Sequence, residues 1–78
     1  MINKTVHADF SNADPAGKVR LNCRGTIDDL QAQGIELRAG LPLLLSDGEL
    51  TALGTVRFST HEQIWVAEVS WPDLRGGD

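Results

Sequence analysis

Two arginines four residues apart, Arg20 and Arg24, are the side chains in this sequence best suited to hold an anion. A guanidinium fork matches phosphate oxygens and guanine edges. The plainer alternative puts both on one solvated strand face, where residues i and i+4 point the same way. Asp28 and Asp29 offer paired carboxylates. General acid–base chemistry needs such groups aimed at one substrate in a water-poor site. Neighbours on a helix diverge by about 100°, and first-turn aspartates already serve as caps for the helix start. His7 and His61 fit no metal spacing, and Cys23 falls on an inward-facing parity, so no zinc-like set emerges. A nucleophilic Cys23 would require an exposed, electropositive setting. Ser46, Ser59 and Ser70 sit in no nucleophile motif, and the eight glycines are scattered at turns and bends instead of forming a phosphate loop. Trp65 and Trp71 share one strand parity and could form an aromatic platform for a proline-rich or single-stranded partner. Such platforms usually add loop aromatics, and this chain has no Tyr. Trp65 is therefore expected in the core, while Trp71, at a strand end, fits either place.

The elements that must position these residues centre on Leu50–Trp71. Leu50, Ala52, Gly54, Val56 and Phe58 alternate with polar residues, the pattern of a strand with one buried face. After the polar connection 59–63, the run Ile64–Trp71 supplies a second strand. Its first half is apolar on both faces, so Ile64 and Val66 are expected to lie beneath the helix or against a partner. Upstream, Val6, Ala8 and Phe10 read as a short strand, Ser11–Gly17 as a loop, and Lys18–Arg24 as a strand pairing with the first in a hairpin. Thr26 followed by Asp29 resembles a capping box. Ile27 and Leu30 share one face and Gly34 suits a left-handed terminator, so a helix is expected over 26–33, packed by both residues. Within Leu41–Leu45, Pro42 cannot donate to a ladder, so it belongs at a strand's beginning or on an edge. Asp47-Gly48 then marks a hairpin into the central strand, and Gly54 marks a bend or bulge.

Seventy-eight residues make one domain that buries only about 60% of its unfolded surface. The ordered part is expected over about 4–72, with Asp73–Asp78 as a frayed tail. A net charge of −4 argues against nucleic acid as a partner. The single cysteine forms no internal disulfide, and no apolar run approaches the roughly 18–20 residues of a membrane span. The amino terminus lacks a secretion-signal pattern. A cytoplasmic location, without membrane, metal or cofactor, is the expectation.

The summed pattern is mainly β: a small five-stranded SH3-like barrel with one short helix inserted between strands 2 and 3. The run Thr26-x-x-Asp29-Leu30-x-x-Gln33-Gly34-Ile35-x-Leu37-x-x-Gly40-x-x-Leu43, ending Trp65-Val66-Ala67-x-x-x-Trp71, resembles a group of small bacterial proteins with SH3-like barrels. The resemblance covers the chain from about Lys18 onward, supports the fold and carries over no activity. A second, partial resemblance is to PilZ domains: Arg20-x-x-x-Arg24 and Asp29-x-x-x-x-Gly34 echo their two cyclic di-GMP motifs. Here Gln31 stands where that family has Ser, and four residues separate Arg24 from Asp29 where the family has a whole strand. It implies a ligand site at Arg20, Arg24 and Asp29. The leading expectation is a non-catalytic protein-interaction module, self-associating through a strand edge or through Ile64, Val66 and Trp71. A small-ligand or cyclic-dinucleotide sensor is the alternative.

Overall fold

The computed structural model describes residues 5–69. Five strands, β1 (Thr5–His7), β2 (Val19–Arg20), β3 (Pro42–Ser46), β4 (Thr51–Ser59) and β5 (Ile64–Val69), and one helix, α1 (Arg24–Gln33), follow each other with α1 between β2 and β3. The strands form one curled sheet, half a barrel, in the order β1-β3-β4-β5-β2. The mainly-β reading with a single helix after the second strand holds.

The middle of the sheet is local. β3 and β4 pair antiparallel from Pro42–Thr55 to Ser46–Thr51, as the Asp-Gly signal predicts. Asp47 Oδ1 accepts the N–H groups of Glu49 (2.9 Å) and Leu50 (2.8 Å), and Gly48 takes φ 100°, the left-handed backbone that glycine adopts without strain. β4 and β5 pair from Gly54–Val69 to Ser59–Ile64 around residues 60–63. Val6, Val19, Leu43, Leu45, Ala52, Val56, Ala67 and Val69 fill the concave face and are buried. Of the bend or bulge expected at Gly54, the bulge is absent: pairing runs through it in register on both sides. A side chain there would be tight, because a Cβ would meet Ala67 Cβ and Leu45 Cδ1 at 3.2 Å.

The edges depart from the sequence reading. β1 and β2 form no hairpin. β1 pairs parallel with β3, matching Val6 to Leu45, while β2 pairs antiparallel with β5 at the other side of the sheet. The expected strand 18–24 shrinks to Val19–Arg20, and Arg24 opens the helix instead of sharing a strand face with Arg20. The turn-forming run 11–17 folds only residues 12–14 back onto β2. Ala13 bridges Val19, Arg20 N donates to Asn12 O (2.9 Å), and Asp14 N donates to Lys18 O (2.8 Å). That covers the outer side of β2.

Helix α1 covers the outer side of β1 with side chains. Thr26 Oγ1 donates to His7 O (2.6 Å), His7 N donates to Asp29 Oδ2 (2.8 Å), and Gln33 Nε2 donates to Thr5 O (3.0 Å). Thr26, Asp29 and Gln33 stand at i, i+3 and i+7, one helical stripe, so the helix supplies the partners a neighbouring strand would have supplied. Uncovered edges template pairing with other chains; here both are engaged.

The helix starts earlier than its sequence signal. Cys23 (φ −77°, ψ 158°) is the N-cap, without a side-chain cap bond, so Thr26 is the third helical residue and fully buried. Its one proton goes to His7 O, which makes the Cys23 thiol the donor in the 2.8 Å contact between Sγ and Thr26 Oγ1. Asp28 and Asp29 consequently lie beyond the first turn, which holds no acid. Gly34 terminates the helix as expected, at φ 65°. Of the two apolar residues expected against the sheet, Leu30 is buried and Ile27 is 40% exposed.

Candidate functional site

Arg20 is spent internally. Its Nε and Nη2 grip Glu62 Oε1 and Oε2 at 2.8 and 2.7 Å, and Nη1 donates to Ala13 O (3.0 Å) and Asn12 Oδ1 (3.3 Å). This bidentate pair, half-buried on both sides, ties β2 and the 12–14 segment to the β4–β5 turn. The hydrogen bond raises the Arg20 pKa and holds the Glu62 carboxyl below its ordinary value. Arg24, with its side chain 91% exposed, has Nε 3.6 Å from Asp28 Oδ2, and Asp29 faces the His7 amide. Arg20 and Asp29 are thus engaged by internal partners, while the Arg24 side chain lies in solvent at the start of the helix.

Of the expected partner residues, Val66 offers no surface. It is 1% exposed, on the parity opposite the core, beneath the 14–18 loop. Sequence periodicity places it outside the concave face, but only the long-range return of that loop buries it. Trp71 and the expected tail lie outside the described residues. Ile64 is half-buried and lines a groove.

That groove, about 340 Å³, runs between α1 and the start of β5. Leu21, Ile27, Leu30, Leu37, Ile64 and Trp65 form its walls, with Asn22 and Gln63 as its polar groups and no charged side chain. Gln63 has φ 59° and closes the β4–β5 turn with its N–H on Ser59 O (2.6 Å). A non-glycine residue in that conformation is strained, and such strain gathers at working sites. Trp65 is half-buried instead of enclosed, and its ring meets Phe58 edge-on at 5.1 Å between centroids and 77° between planes. Phe58, expected on the buried face, is 46% exposed. An apolar strip therefore runs from Ile27 through Trp65 to Phe58. Sequence reasoning missed Ile27 and Phe58 as surface residues; their only signal was position, one near the helix start and the other at the end of β4.

Asp14, Ser59 and His61 share a depression on the other side of the β4–β5 turn. They form no relay: Asp14 Oδ1 accepts the N–H groups of Ala16 and Lys18, Ser59 Oγ accepts that of Glu62, and no hydrogen bond among the described residues joins His61 to either. Among the described residues no group of three or more His, Cys, Asp or Glu side chains could hold a metal ion, and no helix is long and apolar enough to cross a membrane.

Several carboxylates hold turns. The Ser11 hydroxyl lowers the pKa of Asp9, the Lys18 amide that of Asp14, and the Leu50 amide that of Asp47. A carboxyl whose pKa falls on folding stabilises the fold above its unfolded value, and the contribution disappears as pH falls through the folded value. Stability is expected to be level from about pH 5 to pH 8 and to decline below the ordinary values, 3.8 for Asp and 4.5 for Glu. Urea midpoints measured from pH 7 to pH 2.5 check this; a midpoint that rises on acidification contradicts it.

Comparison with protein-family models, with curated proteins and with solved structures finds no match.

Proposed function

We propose that the chain is a non-catalytic, cytoplasmic protein-interaction module that associates with a second copy of itself through the groove between α1 and β5. The observation that carries this reading is the uncharged, open groove flanked by Ile27 at 40% and Phe58 at 46% exposure. Contiguous apolar surface with aromatic anchors and a polar rim is what protein contacts are built on. The strand edges are engaged, so a face and not an edge carries the contact. The lone half-buried Cys23, without a disulfide partner, supports a reducing compartment. Arg20, with four internal hydrogen bonds, leaves the cyclic-dinucleotide alternative without its first arginine.

Light scattering tests this. The wild-type mass is expected to rise toward that of a dimer between tens of micromolar and millimolar protein, and Ile27→Glu, which sets a charge in the groove wall, is expected to remain monomeric and folded. A wild type that stays monomeric at every concentration contradicts self-pairing.

A further inference from the structure

A second concavity, separate from the apolar groove, has the opposite character. It lies between the 14–18 loop and the β4–β5 turn, measures about 230 Å³, and is walled by Lys18, Arg57, Ser59, Thr60 and His61, with Asp14 also in its lining. The chain carries a net charge of −4, so a place where Lys18, Arg57 and His61 meet runs against the average field. Asp14, itself in the lining, and Glu62 beside the cleft each have internal partners. Asp14 Oδ1 accepts the N–H groups of Ala16 and Lys18, each at 2.9 Å, and Glu62 is held by Arg20. Arg57 reaches Glu68 at 3.4 Å, but those side chains are 48% and 54% exposed, a pairing that water and salt weaken. No hydrogen bond among the described residues engages the Lys18 ammonium, the Thr60 hydroxyl or the His61 ring. Ser59 Oγ accepts the Glu62 N–H at 3.2 Å and keeps its own proton to donate.

We infer that this cleft binds a small phosphate monoester, with phosphoryl oxygens on Lys18, Arg57 and the hydroxyls of Ser59 and Thr60, and with His61 beside them. Two cations and several hydroxyl or ring donors match a dianion with three acceptor oxygens. Size sets the class further: drug-sized ligands occupy pockets of roughly 300–1,000 Å³, and this smaller cleft suits a phosphoryl group with a short substituent. Arg20 is a positioning residue here, since its bonds to Ala13 O and Glu62 join the two walls.

The test is a titration of the full chain with glycerol phosphate at constant ionic strength, read by amide nitrogen–proton spectra. Saturating shifts are expected at Lys18 and at Arg57–His61, with half-saturation at low millimolar ligand or below. Lys18→Gln and Arg57→Gln are each expected to weaken binding at least tenfold, and Arg24→Gln to leave it unchanged. Thr60→Ala, an exposed and conservative change, keeps the question open to measurement if either cation variant unfolds; it is expected to weaken binding severalfold. Shifts that stay linear, that equal ionic strength of sodium chloride reproduces, or that persist undiminished in Lys18→Gln or Thr60→Ala overturn the site.

Discussion

Leu45→Ala is expected to lower the unfolding free energy by about 2–5 kcal/mol. Leu45 is fully buried in β3, matched to Val6 in the parallel pair and to Ala52 in the antiparallel one. Its Cδ1 also fills the space that a Cβ on Gly54 would need. Because hydrogen-bonded strands flank it on both sides, the backbone cannot close around the missing atoms, and a cavity remains. Small domains have only about 5–15 kcal/mol in total, so this one change removes a large share. Urea unfolding followed by tryptophan fluorescence is the measurement, with a lower midpoint and an unchanged slope expected. An unchanged midpoint would mean that the concave face is not a packed interior.

Thr26→Val is expected to cost about 1–3 kcal/mol although it keeps the side chain's shape. Thr26 is the buried polar side chain among the described residues, and its hydroxyl joins His7 O at 2.6 Å to the Cys23 thiol at 2.8 Å. With the hydroxyl gone, the site is closed to water and nothing replaces the donor. The loss also detaches one of the three side-chain bonds by which α1 covers β1, the others being those of Asp29 and Gln33. Thr26→Ser keeps the hydroxyl and gives up only a methyl group, so it should retain more stability than the valine variant. Equal midpoints for the two in urea would show that packing, and not the hydrogen bond, is what Thr26 contributes.

What could be read from the sequence was what local chemistry decides. The Asp47-Gly48 turn, the alternation through Ala52, Gly54 and Val56, the glycine that ends α1 and the strand from Ile64 all depend on neighbours a few residues away. The mispaired first strand shows the limit. Val6 and Ala8 announce a buried face, but the partner that buries them, β3, lies about forty residues on, and a parallel match leaves no turn signature between the two. The same distance hid the Arg20–Glu62 clamp, whose partners are 42 residues apart, and so left Arg20 looking available for a ligand. Thr26 looked like a cap because Ser and Thr before an apolar residue usually are; the acceptor on β1 that draws it inward is invisible locally. At the candidate groove, α1 offers just two large apolar residues, Ile27 and Leu30, and their spacing cannot say which of them meets the sheet and which faces outward.

The most direct check on the account is a dilution series of amide spectra, from about 1 mM to 20 μM protein. If the groove is where copies meet, the concentration-dependent shifts gather at Ile27, Leu37 and Gln63–Trp65, and Thr5–His7 and Val19–Arg20 stay still. Shifts that instead follow the outer sides of β1 or β2, or spectra that do not change across the series, would contradict it.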